Sequence, residues 1–203
     1  MAKKILHTIL GILLVYSAVA FSIKASIGGL PVEAAITSIA MLTGIMVGSF
    51  SMLFHGSFFL GQIAIERRNF RKTELLQLLY ITLGGNVLNF FLYVVLRDVA
   101  FSAYLLRLII CILAFAVSSF GCTLVLETHL MRTPMEGCIQ LLADRMGTTM
   151  GKLRQKNDVV LVIISVAISL IFGVEWTLRE GTIIAALIFG PMMDFWKKHI
   201  FSR

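Results

Sequence analysis

Apolar residues run along this chain in long continuous blocks, at about 5–23, 46–65, 75–96, 104–126, 158–174 and 181–196. Two shorter apolar stretches, about 31–43 and 134–143, each follow a proline. The blocks do not alternate polar with apolar, so they predict helices, not strands. Several reach the roughly 20 residues that a helix needs to cross a bilayer. The short stretches, at roughly 10–13 residues, are short for a crossing and predict re-entrant or interfacial helices. The pattern reads long, short, long, long, and then the same again.

The repetition extends to residue identity. Pro31, Glu33, Gly44 and Gly48 stand 103 positions before Pro134, Glu136, Gly147 and Gly151, without a gap. Near the end of each half, Gly85-Asn86-Val87-Leu88-Asn89 echoes Gly190-Pro191-Met192-Met193-Asp194 at a spacing of 105. A duplicated half in a small membrane protein predicts a pseudo-symmetric fold with a site between the halves. Residues 1–203 form one membrane domain in this reading, with repeats at 5–96 and 104–198.

Composition agrees. The chain is 58% hydrophobic with a mean hydropathy of +0.91, which would leave a soluble domain with far too much apolar surface. The net charge of +7 could suggest nucleic acid, but basic residues that mark cytoplasmic loops explain it better. Lys3 and Lys4 before an apolar run, with Ser17-Ala18-Val19-Ala20 after it, resemble a signal peptide. The repeat argues for retention, because 5–23 corresponds to 108–126. Cys111, Cys122 and Cys138 lack metal spacing and read as small core residues.

Charge also sets the topology. If the two short helices do not cross, Lys3/Lys4, Arg67 to Lys72, Arg145 to Lys156, and Lys197, Lys198 and Arg203 all fall on the cytoplasmic side, as the positive-inside rule prefers. If both cross, the four basic residues of 66–74 move outside. The expectation is an all-α integral membrane protein with six transmembrane helices and two short re-entrant or interfacial helices. N- and C-termini are cytoplasmic. Three spans per half is odd, so the repeats are inverted, related by an axis in the membrane plane.

Pro31 and Pro134 suit a first helical turn, where a missing N–H costs nothing. Glu33 and Glu136 then sit at the positive end of the helix dipole. That alone explains Pro-x-Glu as a helix start. A second role is open as well. A carboxylate within a membrane costs roughly 2.5 kcal/mol or more and marks a functional candidate. The two could bind a cation or a proton, or pair with Lys24 and Arg132, while the helix N-termini could hold an anion. Glu66, in the basic loop, is the expected neutral control.

Gly28 and Gly29 form the small turn before Pro31. Gly44/Gly48 and Gly147/Gly151 suit helix packing, or else tight turns. Asn86 and Asn89 share a helix face and are expected to point inward. Thr182 aligns with Gln77. Asp158 is expected to cap its span, Asp194 to be a solvated helix end, and His55 and Gln62 to be packing groups. No nucleophile–base pair, metal-ligand spacing or phosphate loop is present, so no enzyme and no cofactor is expected.

The segments Gly28-Gly29-Leu30-Pro31-Val32-Glu33, Thr43-Gly44 to Gly48, and Gly181-Thr182 through Phe189-Gly190-Pro191 resemble the bacterial YczE/YyaS/YitT group of small membrane proteins. Members often carry Trp-Asp after the proline, where this chain has Val32-Glu33 and Met135-Glu136. The resemblance implies a bacterial plasma-membrane location and supplies no substrate. The leading functional expectation is a small transporter or channel with its site between the repeats, at Glu33, Glu136, Pro31, Pro134, Gly28, Gly29, Asn86, Asn89 and Thr182. The alternative is an accessory or regulatory membrane protein that binds a partner. Expected partners are the lipid bilayer, a small-molecule or ion substrate and a second copy in a homodimer, with no nucleic acid. The basic run 66–72 would meet anionic headgroups at about 1 kcal/mol per residue.

Overall fold

The computed structural model describes residues 2–201, so Arg203, counted above in the basic tail, lies outside them. The described residues are helical, without strands. The helices are α1 (Ala2–Ala25), α2 (Pro31–Thr43), α3 (Val47–Glu66), α4 (Gln77–Phe90), α5 (Tyr104–Glu127), α6 (Pro134–Arg145), α7 (Met150–Phe172) and α8 (Glu180–Trp196). Short 3-10 turns lead into α4, and single π-helical turns extend α4 to Val95 and α8 to Phe201.

Local chemistry sets the ends. Pro31 and Pro134 open α2 and α6 at the first turn. Gly44 (φ +71°) and Gly147 (φ +61°) turn the chain out of those helices in the left-handed region, where a residue with a Cβ is strained. Ser26 and His129, also 103 apart, both take φ +53° at the ends of α1 and α5. These two pairs of left-handed residues share the 103-residue spacing, while Gly28, Arg67 and Gly173 have no left-handed counterpart at it. For Gly44 and Gly147 the turn reading holds and the packing reading fails: a Cβ at either would meet nothing within 4 Å.

Among the described residues, four helical segments are long and apolar enough to cross a membrane: Lys3–Ala25, Lys72–Val95, Tyr104–Glu127 and Met150–Phe172. A fifth span results if α2 and α3, bent at 119° to each other, count as one broken crossing. α8 has 17 residues and an internal proline, Pro191. α7 starts eight residues before the apolar run that signalled it, so Asp158 is not a cap. It lies inside the helix and pairs with Arg154 one turn back, 3.1 Å.

α1 and α5 form the central pair, and the others pack in exchange: α2 on α7, α3 on α6, α1 on α4, and α5 on α8. Each of these four contacts has its counterpart when the halves are swapped, but the contact between α3 and α4 does not. α3 and α4 pack closely through Gly48 and Gly85, where a Cβ on Gly48 would overlap the Gly85 carbonyl. α7 and α8, the corresponding pair, make no comparable contact, and Gly151 and Gly190 face open space.

Two buried polar clusters pin the first turns of the short helices. Gln62 sits against Gly137 of α6, and Gln77 Nε2 donates to Gln62 Oε1 (2.9 Å) and to Glu74 Oε2 (2.6 Å). At the other end Ser38, Ser165 and Thr177 hydrogen-bond mutually at 2.7–2.8 Å, and Thr177 Oγ1 donates to the Ala34 carbonyl of α2 (3.2 Å). Gln62 and Ser165, Glu74 and Thr177, Ala34 and Gly137 are each 103 positions apart. The same places carry different polar groups, and both clusters lock a short helix to the opposite half.

Candidate functional site

The α2 and α6 first turns meet across one cavity of about 110 Å³, and Glu33 and Glu136 both line it. That volume holds several waters or a small solute. Its wall is mostly apolar, with Val15, Val19, Ile36 and Leu88, and its polar groups converge from both halves. α1 supplies Tyr16, α3 supplies Ser51 and His55, α4 supplies Tyr80, α5 supplies Ser118 and Cys122, and α7 supplies Arg154. An apolar cavity with a few convergent polar groups is the usual form of a small-molecule site.

The two carboxylates are held differently. Glu33 Oε2 accepts from the Leu30 backbone N–H at 3.2 Å, closing the turn that Pro31 begins. Glu136 Oε2 accepts from Thr133 Oγ1 at 2.8 Å, and its other oxygen faces Arg154 Nη1 at 3.4 Å. Arg154 in turn is shared with Asp158. Glu136 thus has a cationic partner, whereas Glu33 is held only by the Leu30 N–H. The pairings suggested by sequence do not form. Lys24 donates to the Arg97 carbonyl (3.1 Å). Arg132 bonds Glu66 (3.1 Å) and Glu74 (3.3 Å). Glu66 is thereby a structural ion-pair partner and not a neutral control.

Aromatic groups shape the middle of the cavity. The Tyr16 and Tyr80 rings meet edge to face at 5.4 Å, and His55 meets Tyr80 edge to face at 5.9 Å. His55 Nδ1 is buried without a hydrogen-bond partner. Gly84 admits the Tyr16 ring, since a Cβ there would overlap it.

The other sequence candidates divide. Gly28 and Gly29 lie on the far side of Glu33, next to a smaller cavity. Gly28 (φ +103°) lies close under Thr182, so Thr182 supports the turn and does not line the central cavity. Asn89 accepts from the Gly48 N–H (2.8 Å) and donates to Ser49 Oγ (3.0 Å), joining α4 to α3. Asn86 is exposed, contrary to expectation, and bonds its own helix at Thr82 (2.7 Å). An amide can satisfy itself on the carbonyl four residues back, so an intramembrane Asn need not face inward. Cys111 and Cys138 are buried as expected, while Cys122 reaches the cavity.

The sequence pattern does not single out Tyr16, Tyr80 or Arg154, and it reads His55 as a packing group, whereas all four line the cavity. The tyrosines and the histidine were single polar tips in apolar runs, a real but weak signal. Arg154 was hidden among Lys152 and Lys156 because α7 begins earlier than its hydrophobicity does. No curated protein and no solved structure matches the chain. A family model does match, over residues 2–198, and its description is a family of unknown function. This helical, membrane-type chain belongs to the DUF6198 family.

Proposed function

We propose that this protein is a small secondary transporter of the bacterial plasma membrane, with its substrate site in the cavity between two inverted repeats. The observation that carries the reading is the convergence of Glu33 and Glu136, from the first turns of two proline-initiated short helices, on one cavity. Short or broken helices that present their N-termini at a central site are a recurrent transporter device. The exchanged packing of the halves and the shared 103-residue register support a pseudo-two-fold axis. Six crossings, with α3 and α8 completing the count and α2 and α6 re-entrant, keep every basic loop on one side. The resemblance to the YczE/YyaS/YitT group supports the location. The substrate class this cavity suits is a small solute with an apolar body and one positive charge, because Glu33 has no cationic partner, the wall is mostly apolar, and tyrosine is a ring type that holds cations.

The unequal halves suggest the two states that such a cycle would exchange. α3 and α4 are closed on each other through Gly48 and Gly85, whereas α7 and α8 are apart. Alternating access would exchange these states, with Gly151 and Gly190 providing the close approach in the other.

The test is charge movement across reconstituted proteoliposomes on a solid-supported membrane, over a panel of small amines and quaternary ammonium compounds. At least one should give a saturable current. Glu136→Gln and Glu33→Gln should each lower it tenfold or more, and the exposed Asp98→Asn should leave it unchanged. Absence of current across the panel, together with a stable partner retained through purification, would favour the accessory-protein reading.

Topology can be checked separately. With native cysteines removed, single cysteines at Ala100 and Glu175 should react with an impermeant thiol reagent in intact cells, and those at Asn69 and Gln155 should not. Labelling of Asn69 from outside would place α2 across the membrane and end the inverted reading.

A further inference from the structure

On the other side of Glu33 from the central cavity lies a second cavity, of about 50 Å³, between the 26–29 turn, α2 and residues 175–177. It is set apart by its donors. Ser22 (2% exposed) and Thr37 (5% exposed) both line it, and neither hydroxyl has a hydrogen-bond partner. A buried hydroxyl left unpaired costs on the order of 1–3 kcal/mol. Two in one small space point to something that both of them meet.

The geometry is arranged to bring oxygen atoms together. A Cβ on Gly29 would overlap the Glu33 carboxylate and stand 3.3 Å from Ser22 Oγ. Glycine at this position therefore lets the carboxylate and the hydroxyl approach one patch of backbone. No lysine or arginine lines the cavity. Glu175, at its rim, is already paired with Arg179 (3.2 Å). Arg107 and Arg179 bond the Ser26 carbonyl at the turn and not Glu33, so what remains is one carboxyl group without a cationic partner, with neutral hydroxyl oxygens in the same cavity. Hard oxygen donors suit alkali and alkaline-earth cations, and a single negative charge matches a single positive one.

We propose that the cavity formed by Ser22, Gly29, Glu33 and Thr37 is a binding site for a monovalent alkali cation. Glu33 supplies the charge and the Ser22 and Thr37 hydroxyls supply neutral ligands. Glu33 also lines the central cavity, so one carboxylate joins the ion site to the site proposed above for the substrate. Two cations drawing on one carboxylate would compete for it, so ion and substrate would be coupled as exchange. The coupling rests on the transporter reading; the ion site itself does not.

The test is direct binding to the purified full-length protein in detergent, without substrate. Thermal unfolding is followed in sodium, potassium, lithium and choline chloride at constant ionic strength, with radiolabelled sodium binding alongside. One alkali cation should raise the unfolding midpoint saturably over choline. Thr37→Val, which keeps the shape and removes the hydroxyl, should weaken that ion's apparent affinity about tenfold. Ser22→Ala should act in the same direction, and Glu33→Gln should abolish the effect. Equal midpoints in all four salts would overturn the site and leave the two hydroxyls to ordered water. So would a cation effect of undiminished affinity in Thr37→Val and Ser22→Ala. If Glu33→Gln does not fold, the wild-type salt series and Thr37→Val still decide. Ion binding without currents leaves this site standing and removes the transporter reading, while currents without ion binding do the reverse.

Discussion

Replacing Gly11 by leucine should cost the protein its central helix pair. α1 crosses α5 with backbone almost on backbone: a Cβ at Gly11 would lie 2.8 Å from the Gly121 carbonyl oxygen and 2.6 Å from Val125 Cγ2. The carbonyl belongs to a rigid helix and cannot turn aside. In lipid, moreover, no hydrophobic driving force pulls separated helices back together, and close van der Waals packing does that work. Overpacking in a well-filled interior typically costs about 1–3 kcal/mol, and a leucine at this crossing belongs at or beyond the upper end. α1 also carries Tyr16, and α5 carries Ser118 and Cys122, so parting the pair opens the cavity wall. The expected result is a severalfold loss of monodisperse protein after detergent extraction and a lower unfolding midpoint. Gly56→Leu is the control, because a Cβ at Gly56 meets nothing within 4 Å. Equal yields from the two variants would show that α1 and α5 do not cross this closely.

The second large effect is expected from Arg132→Ala. Arg132 precedes α6 and reaches into the first half, where it bonds Glu74 through its backbone N–H (3.3 Å) and its side chain (3.3 Å), and Glu66 at 3.1 Å. The Glu74 side chain is 3% exposed. Breaking a buried pair by removing one partner usually costs about 3–5 kcal/mol, because the stranded charge keeps its desolvation penalty. Here Arg132 is about a third exposed and Gln77 still donates to Glu74. A loss of about 2 kcal/mol is therefore expected, seen as unfolding at lower denaturant. Glu74→Gln in the Arg132→Ala background should recover part of it, since the stranded charge is gone. A double variant no more stable than Arg132→Ala would mean that Glu74 is solvated in the folded state.

Much of this molecule is legible along the chain. Continuous apolar runs specify the long helices to within a few residues, α7 excepted. Pro31 and Pro134 fix where the short helices begin, and Gly44 and Gly147 where they end, because each residue type admits only a narrow range of backbone conformations. At Ser26/His129 and Gly44/Gly147 the 103-residue spacing also joins residues of like backbone angle. Such features are local, and local features are written in local sequence.

Partners were not legible in the same way. Charge complementarity allowed Lys24 for Glu33 and Arg132 for Glu136. The fold gives Glu136 to Arg154 instead, leaves Glu33 unpaired, and uses Arg132 to join Glu66 and Glu74 across the halves. Asn86 and Asn89 lie on one helix three residues apart, yet only Asn89 meets another helix. Gly48 and Gly151 are equivalent in sequence, yet only Gly48 packs. Which polar tips share a cavity depends on where helices far apart in sequence cross, and a crossing is a property of packed surfaces, not of a segment.

By itself, then, the sequence determined an all-helical, membrane-type chain, the ends of its short helices and the positions of its two repeated carboxylates, because backbone conformation and hydrophobic burial respond to neighbours along the chain. Only the tertiary structure decided that those carboxylates face one cavity, that Tyr16, Tyr80, His55 and Arg154 complete its wall, and that Ser22 and Thr37 share a second cavity with Glu33. Those are contacts between residues far apart along the chain, and only the packing of one helix against another selects them.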